Sequence, residues 1–228
     1  MAGGVLLLLL LFWQGTTRLL ASPYLAIRQV QVKGGPASIL LATGLEKGQP
    51  LWTADLERAR RLLLKRDPWY GSAQMTRVFP HELRITVRER RPIALVVTKS
   101  GVAYGIDPSG VLLPRPTGSA GSFPYLTGLG VGSRPYAQLR EPSVLAALAI
   151  ISDASPALRA GISEVAREKG GLVLYLEDGT KVLVGGGTNI ALKMDVLSAI
   201  LERARTKGVK LLRVDLTNPD EPTLTTPP

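Results

Sequence analysis

His81 is the chain's single histidine, and the chain has no cysteine. These counts remove thiol nucleophiles, disulfides, Cys-based zinc or iron–sulfur sites and any multi-histidine metal centre. A Ser-His-Asp triad would have to rest on His81 alone, and Phe79-Pro80-His81-Glu82 reads as a turn that exposes it. Asp178-Gly179 has no acid or base placed near it in sequence and reads as a hairpin turn. Gly185-Gly186-Gly187 precedes a helix at Thr188 and could cradle an anion, but the Gly-Lys-Ser/Thr of a P-loop does not follow. Gly128-x-Gly130-x-Gly132 lacks the strand-then-helix setting of a dinucleotide site. Both glycine runs read as loops. No catalytic residue, metal or cofactor is expected.

Charge offers a different chemistry. The 228 residues carry 28 Lys+Arg against 18 Asp+Glu, a net charge of +10. The surplus is uneven: residues 22–91 hold 13 basic and 6 acidic side chains, and residues 92–228 hold 14 and 12. A basic block can face nucleic acid, anionic lipid or an acidic protein. Its densest part, Arg58, Arg60, Arg61, Lys65 and Arg66, lies on one helix without interleaved aromatics, a weak nucleic-acid signature. Arg58, Arg61 and Lys65 are either a solvated face or a contact with a membrane surface or acidic partner.

The N-terminal segment makes a membrane relevant. Ala2 to Trp13 is free of charge and includes six consecutive leucines, and Leu19-Leu20-Ala21 follows Arg18. A span needs ~20 apolar residues, which is met by extending to Ala21 with Arg18 snorkelling. A cleaved signal peptide would want small residues at −3 and −1, and Leu19-Leu20-Ala21 offers one. An uncleaved anchor over residues 1–21 is the favoured reading. Arg28 and Lys33 lie beyond the span while almost nothing precedes it, so the positive-inside rule suggests that the native start lies further upstream, with a basic tail.

The rest of the chain must supply the positioning elements. Its 45% hydrophobic and 20% charged residues are a globular composition. Residues 27–33 read as a strand, and 36–43 as a short helix stopped by Gly44. Residues 53–66 read as a helix capped by Thr53, with Leu56, Ala59 and Leu63 inward. Strands over 72–79 and 83–90 flank the Pro80-His81 turn, the second alternating Leu83, Ile85 and Val87 against Arg84, Thr86 and Arg88. Trp69 reads as core. Beyond Pro92, short strands are predicted over 93–98, 102–106 and 111–113, followed by a meandering loop over 114–135. A helix over 142–152 carries Val144, Leu148 and Ile151 on one face. A meander over 162–168, 172–177 and 180–185 leads to a helix over 188–207, with Leu192, Val196 and Ile200 inward, and a strand over 210–216. The fold class is α+β: an N-terminal transmembrane helix, a small strand-helix-helix-strand-strand domain over 22–91, and a mostly antiparallel β domain with two helices over 92–217. Residues 218–228 form a tail.

Several phrases coincide with one family: Asp67-Pro68-Trp69, Arg77-Val78-Phe79-Pro80, Glu89-Arg90-Arg91-Pro92, Asp107-Pro108-Ser109-Gly110, Pro124-Tyr125-Leu126-Thr127-Gly128, Leu176-Glu177-Asp178-Gly179 and Val214-Asp215-Leu216. In combination they resemble the bacterial FtsQ/DivIB division proteins across nearly the whole chain, with residues 22–91 similar to the FtsQ-type POTRA domain. The resemblance implies a single-pass protein of the inner membrane at the division septum, with a short cytoplasmic tail and both folded domains outside. It implies a non-enzymatic scaffold linking early division proteins to septal peptidoglycan synthesis. It further implies binding of FtsB, itself paired with FtsL, by strand addition to a sheet edge near the C-terminus. That edge maps to Asp215, Leu216 and Thr217 and to Thr223, Leu224 and Thr225, with Lys193 and Arg203 as rim contacts. Thr217 departs from the family, which usually has Arg shortly after its last Asp-Leu, so contacts of that Arg do not transfer. The end at Pro228, without a long tail, is closer to the FtsQ branch. The main alternative is a POTRA-bearing envelope assembly or secretion factor, which normally brings several POTRA repeats or a β-barrel.

Overall fold

The computed structural model describes residues 23–114, 123–132 and 134–227. The expected anchor over 1–21 lies outside them. Among the described residues no helix is long and apolar enough to cross a membrane. The chain divides into two compact units, one up to Arg90 and one from Arg91 on.

The first unit runs β1 (Gln29–Lys33), α1 (Ile39–Thr43), α2 (Leu56–Arg66), β2 (Tyr70–Val78) and β3 (Glu82–Glu89), the expected order. Its sheet is ordered β1-β3-β2, with β1 parallel and β2 antiparallel to the central β3. The alternation of β3 puts Leu83, Ile85 and Val87 into the core, where Ala59 and Leu63 of α2 meet them. Gly34 turns the chain out of β1 at φ +83°, and a Cβ there would lie 2.1 Å from the Val87 carbonyl oxygen, so only glycine fits.

Three local expectations need correction. Asp55, not Thr53, caps α2, its Oδ1 accepting from the Arg58 N–H at 2.9 Å. The Arg77 guanidinium donates to the Leu51 and Ala54 carbonyls at 3.0 and 2.6 Å, engaging the backbone just before the cap. The buried aromatic beside the helix end is Tyr70, because β2 begins there. Trp69 stays half-buried on the turn, its carbonyl accepting from the Arg90 N–H. His81 is half-buried rather than exposed, and its carbonyl accepts the Arg28 N–H at 3.0 Å.

The second unit contains β4 (Ala94–Val97), β5 (Ala103–Ile106), β6 (Leu112–Leu113), β7 (Tyr125–Thr127), α3 (Pro142–Asp153), α4 (Pro156–Ala160), β8 (Ile162–Glu168), β9 (Gly171–Leu176), β10 (Lys181–Gly185), α5 (Ile190–Thr206), β11 (Arg213–Asp215) and β12 (Thr223–Thr225). Among the described residues one nine-stranded sheet results, ordered β12-β11-β10-β9-β8-β7-β4-β5-β6. It is mostly antiparallel, but β7 is parallel to both its neighbours and β11 is parallel to β10. The stretch read as a loop over 114–135 therefore holds an interior strand, β7. The domain also has a third helix, α4, which Ser155 caps by accepting from the Leu158 N–H.

Alternate strand residues such as Val96, Leu126, Val165, Leu174, Val182 and Val214 share one core with the helices. Val144, Leu148 and Ile151 of α3 are buried as their spacing predicts. The stripe on α5 is broader than expected: Ile190, Lys193, Met194 and Leu197 are buried, Val196 and Ile200 are half-buried against the same core, and only Leu192 of the expected three is exposed. Lys193 takes an inward place because its stem packs in the core and its ammonium donates to the Val184 carbonyl at 2.7 Å.

Candidate partner-binding edge

The C-terminal edge is built from two strands of three residues each. Val214 of β11 pairs with Val182 of β10 on one side and Leu224 of β12 on the other. Val182 in turn pairs with Leu174. Leu174, Val182, Val214 and Leu224 thus form one apolar row on the helix-covered side of the sheet. The first three are buried, and Leu224, last in the row, is 48% exposed. On the opposite side Tyr175, Lys181, Arg213 and Thr225 form a polar row, and Val173, Leu183, Asp215 and Thr223 a mixed one whose inner half is apolar.

The backbone shows which groups the edge offers. The Lys181 N–H donates to the Leu212 carbonyl at 3.0 Å and the Leu216 N–H to the Leu183 carbonyl at 2.8 Å. Val214, between these two contacts, thus faces β10, while the Leu212 N–H just before the strand donates to the Thr225 carbonyl at 2.9 Å and Arg213 and Asp215 face Thr225 and Thr223. By alternation Leu224 turns its N–H and C=O away from β11, toward the open edge. A strand laid there would find a backbone donor and acceptor at Leu224 and an apolar side chain extending the core row.

Local electrostatics hold this region in shape. The Thr217 N–H donates to Asp215 Oδ1 at 3.0 Å. The Asp215 carboxyl lies below its usual range, chiefly through hydrogen bonds from the Thr217 hydroxyl and amide, with Arg213 adding to the effect. Arg213 Nη2 lies 3.6 Å from Asp215 Oδ2. Thr217, standing where the resemblance leads one to expect an Arg nearby, instead fixes the turn after β11. Further in, the Tyr175 hydroxyl donates to Glu168 at 2.5 Å and Lys181 Nζ lies 3.2 Å from the same carboxylate. Glu168 is held low and Lys181 high, each mainly through the Tyr175 hydrogen bond and then through each other.

The structure brings together Asp215, Leu216, Thr217, Thr223, Leu224 and Thr225 at one edge. It does not bring Lys193 there as a rim contact. At 2% exposure Lys193 is a core residue, and loss of hydration pushes its ammonium below the ordinary lysine range. Arg203 is exposed in the last turn of α5. Arg58, Arg61 and Lys65 are exposed on α2, in the other unit. Sequence reading missed the polar row Tyr175-Lys181-Arg213, which only the cross-strand register reveals. Among the described residues no group of three His, Cys, Asp or Glu side chains is placed to hold a metal ion. A groove of about 490 Å³ beside α4 and α5 is lined largely by Leu158, Leu176, Leu201, Ala204, Val209 and Leu211.

Residues 25–90 match the family described as "POTRA domain, FtsQ-type". Residues 94–217 match "Cell division protein FtsQ/DivIB, C-terminal". Similar proteins include the cell division protein FtsQ of Myxococcus fulvus, 29% identical over 225 residues, covering 93% of this chain and 78% of that one. FtsQ of Anaeromyxobacter sp. (strain K) is 29% identical over 213 residues, covering 88% and 70%. FtsQ of Streptomyces venezuelae is 25% identical over 206 residues, covering 88% and 76%. A POTRA unit followed by a nine-stranded domain, each matched by its own part of one architecture, places this chain in the FtsQ/DivIB family of cell division proteins.

Proposed function

We propose that the chain is a non-enzymatic scaffold of the division machinery. Residues 1–21 anchor it in the cytoplasmic membrane as a single span, with the N-terminus cytoplasmic and both folded units outside. The sheet edge at β12 captures FtsB, itself paired with FtsL, by adding a strand, and so links early division proteins to septal wall synthesis. The observation that carries this reading is Leu224: an open-edge backbone donor and acceptor beside a half-covered apolar side chain at the end of a core row. Strand addition satisfies both backbone groups and covers the side chain, and alternate positions of the guest select it through Leu224 on one face and Thr223 and Thr225 on the other. Arg203 serves as a rim contact, and the exposed Arg58, Arg61 and Lys65 face of α2 meets an acidic division partner or the membrane surface.

The test is imaging a fluorescent N-terminal fusion in growing cells during depletion of the untagged protein. A midcell band, with filamentation on depletion, is the expected result. A uniform envelope signal with normal division would overturn the division role. A charge-reversal set at Arg58, Arg61 and Lys65 that recruits normally would remove the α2 face from the proposal.

A further inference from the structure

Tyr24 and Phe79, at 77% and 74% exposure, are among the most exposed large apolar side chains of the described residues. They converge on one end of the first unit. The Leu51 N–H donates to the Leu25 carbonyl at 3.1 Å, setting Trp52 beside the entering chain. Trp52 Nε1 donates to the Pro80 carbonyl at 3.3 Å, and its ring centre lies 6.2 Å from that of Phe79. The Arg28 guanidinium sits 5.7 Å over the Tyr24 ring, and the Gly48 N–H bonds to the Ile27 carbonyl at 2.8 Å, bringing the exposed Lys47 to the same end. Glu46 on that turn offsets part of the charge.

We infer that this aromatic end seats on the surface of a phospholipid bilayer, with Tyr24, Trp52 and Phe79 at headgroup level and Arg28 and Lys47 toward lipid phosphates. Three observations favour lipid over a protein partner. The apolar segment ends at Ala21 and Tyr24 follows three residues later, so at most ~10 Å of chain separates them. Amphipathic rings such as Trp and Tyr concentrate at that depth because their apolar bodies leave water while their polar tips stay hydrated. The neighbouring cations are of the sign that anionic headgroups attract. The inference rests on reading residues 1–21 as a membrane span.

The cysteine-free chain allows a direct test. Single Tyr24→Cys, Phe79→Cys and Leu41→Cys variants of the full chain are labelled with an environment-sensitive dye. Leu41 is equally exposed, but its carbonyl is bound by Arg66 at the opposite end of α2 from Asp55. Each variant is reconstituted in vesicles of phosphatidylcholine and phosphatidylglycerol. Dye at positions 24 and 79 is expected to shift to the blue and to lose most of its emission to a lipid-borne quencher, while dye at 41 stays water-like. If the chain resists carbonate extraction yet all three positions read as water, the docking is overturned and the span stands. If carbonate releases the chain, the span reading fails and the docking fails with it.

Discussion

Two strands of the second unit have nearly the same sequence and opposite fates. β7 is Tyr125-Leu126-Thr127 and β12 is Thr223-Leu224-Thr225, three residues each with a central leucine. Leu126 is 0% exposed, between the parallel neighbours β4 and β8, whereas Leu224 is 48% exposed at the end of the sheet. Composition and propensity do not separate them. What differs is occupancy of the sides: β7 has both edges paired and its leucine under the helix layer, and among the described residues β12 has a strand on one side only. A short strand is thus a core element or a terminal edge according to its neighbours, because burial and hydrogen-bond satisfaction are properties of the assembled sheet.

The two leucines should differ most when truncated. Leu126→Ala should destabilise the protein by about 3 kcal/mol, the transfer and cavity cost of a fully buried leucine. Leu224→Ala should cost less than about 0.5 kcal/mol. Urea unfolding of the two variants measures this, and equal losses would mean that β12 is as much a part of the free protein's core as β7.

Lys193, a core residue rather than a rim contact, should show the next largest effect. Lys193→Ala should cost about 2 kcal/mol, through the lost hydrogen bond to Val184 and the lost packing of the stem. Burial lowers the folded-state pKa below the ordinary 10.5, so between those values the unfolded state binds the extra proton. Stability of the parent relative to Lys193→Met should therefore rise as alkaline pH passes through the folded pKa and level off near 10.5. A difference independent of pH would place the ammonium in water.

At the edge itself effects should be smaller. Thr217→Val removes the hydroxyl that leads the lowering of the Asp215 pKa. The stability due to a lowered carboxylate pKa is present above its ordinary 3.8 and lost as pH falls through the folded value. Parent and variant should therefore differ slightly at neutral pH and converge in acid, as followed by circular dichroism. Smallest of all, Arg213→Ala should change stability by less than about 0.5 kcal/mol, because its 3.6 Å pair with Asp215 is half in water.

Much of this architecture was legible where the pattern is local. The period-two alternation of Leu83, Ile85 and Val87 located β3 and its buried face, and Val144, Leu148 and Ile151 located α3. β7 was not legible, because three residues in a Pro- and Gly-rich stretch become a strand only when β4 and β8, distant in sequence, close on both sides. On α5, Val196 and Ile200 do pack against the core, but a lysine does not advertise an inward position, so the expected stripe holds Leu192 where the structure buries Lys193. The edge residues were found through the family resemblance of Val214-Asp215-Leu216. Their pairing with Tyr175 and Lys181 required the register of the folded sheet.

The most direct test of the open-edge proposal is the affinity of the Leu224→Pro variant for the FtsB–FtsL complex, with thermal unfolding run alongside. Proline removes the outward N–H of Leu224 and leaves the amides of Thr223 and Thr225 paired with β11. The expected result is at least about a tenfold loss of affinity, about 1.4 kcal/mol, in a protein that unfolds at the parent's temperature. Parental affinity in that folded variant would contradict strand addition at β12.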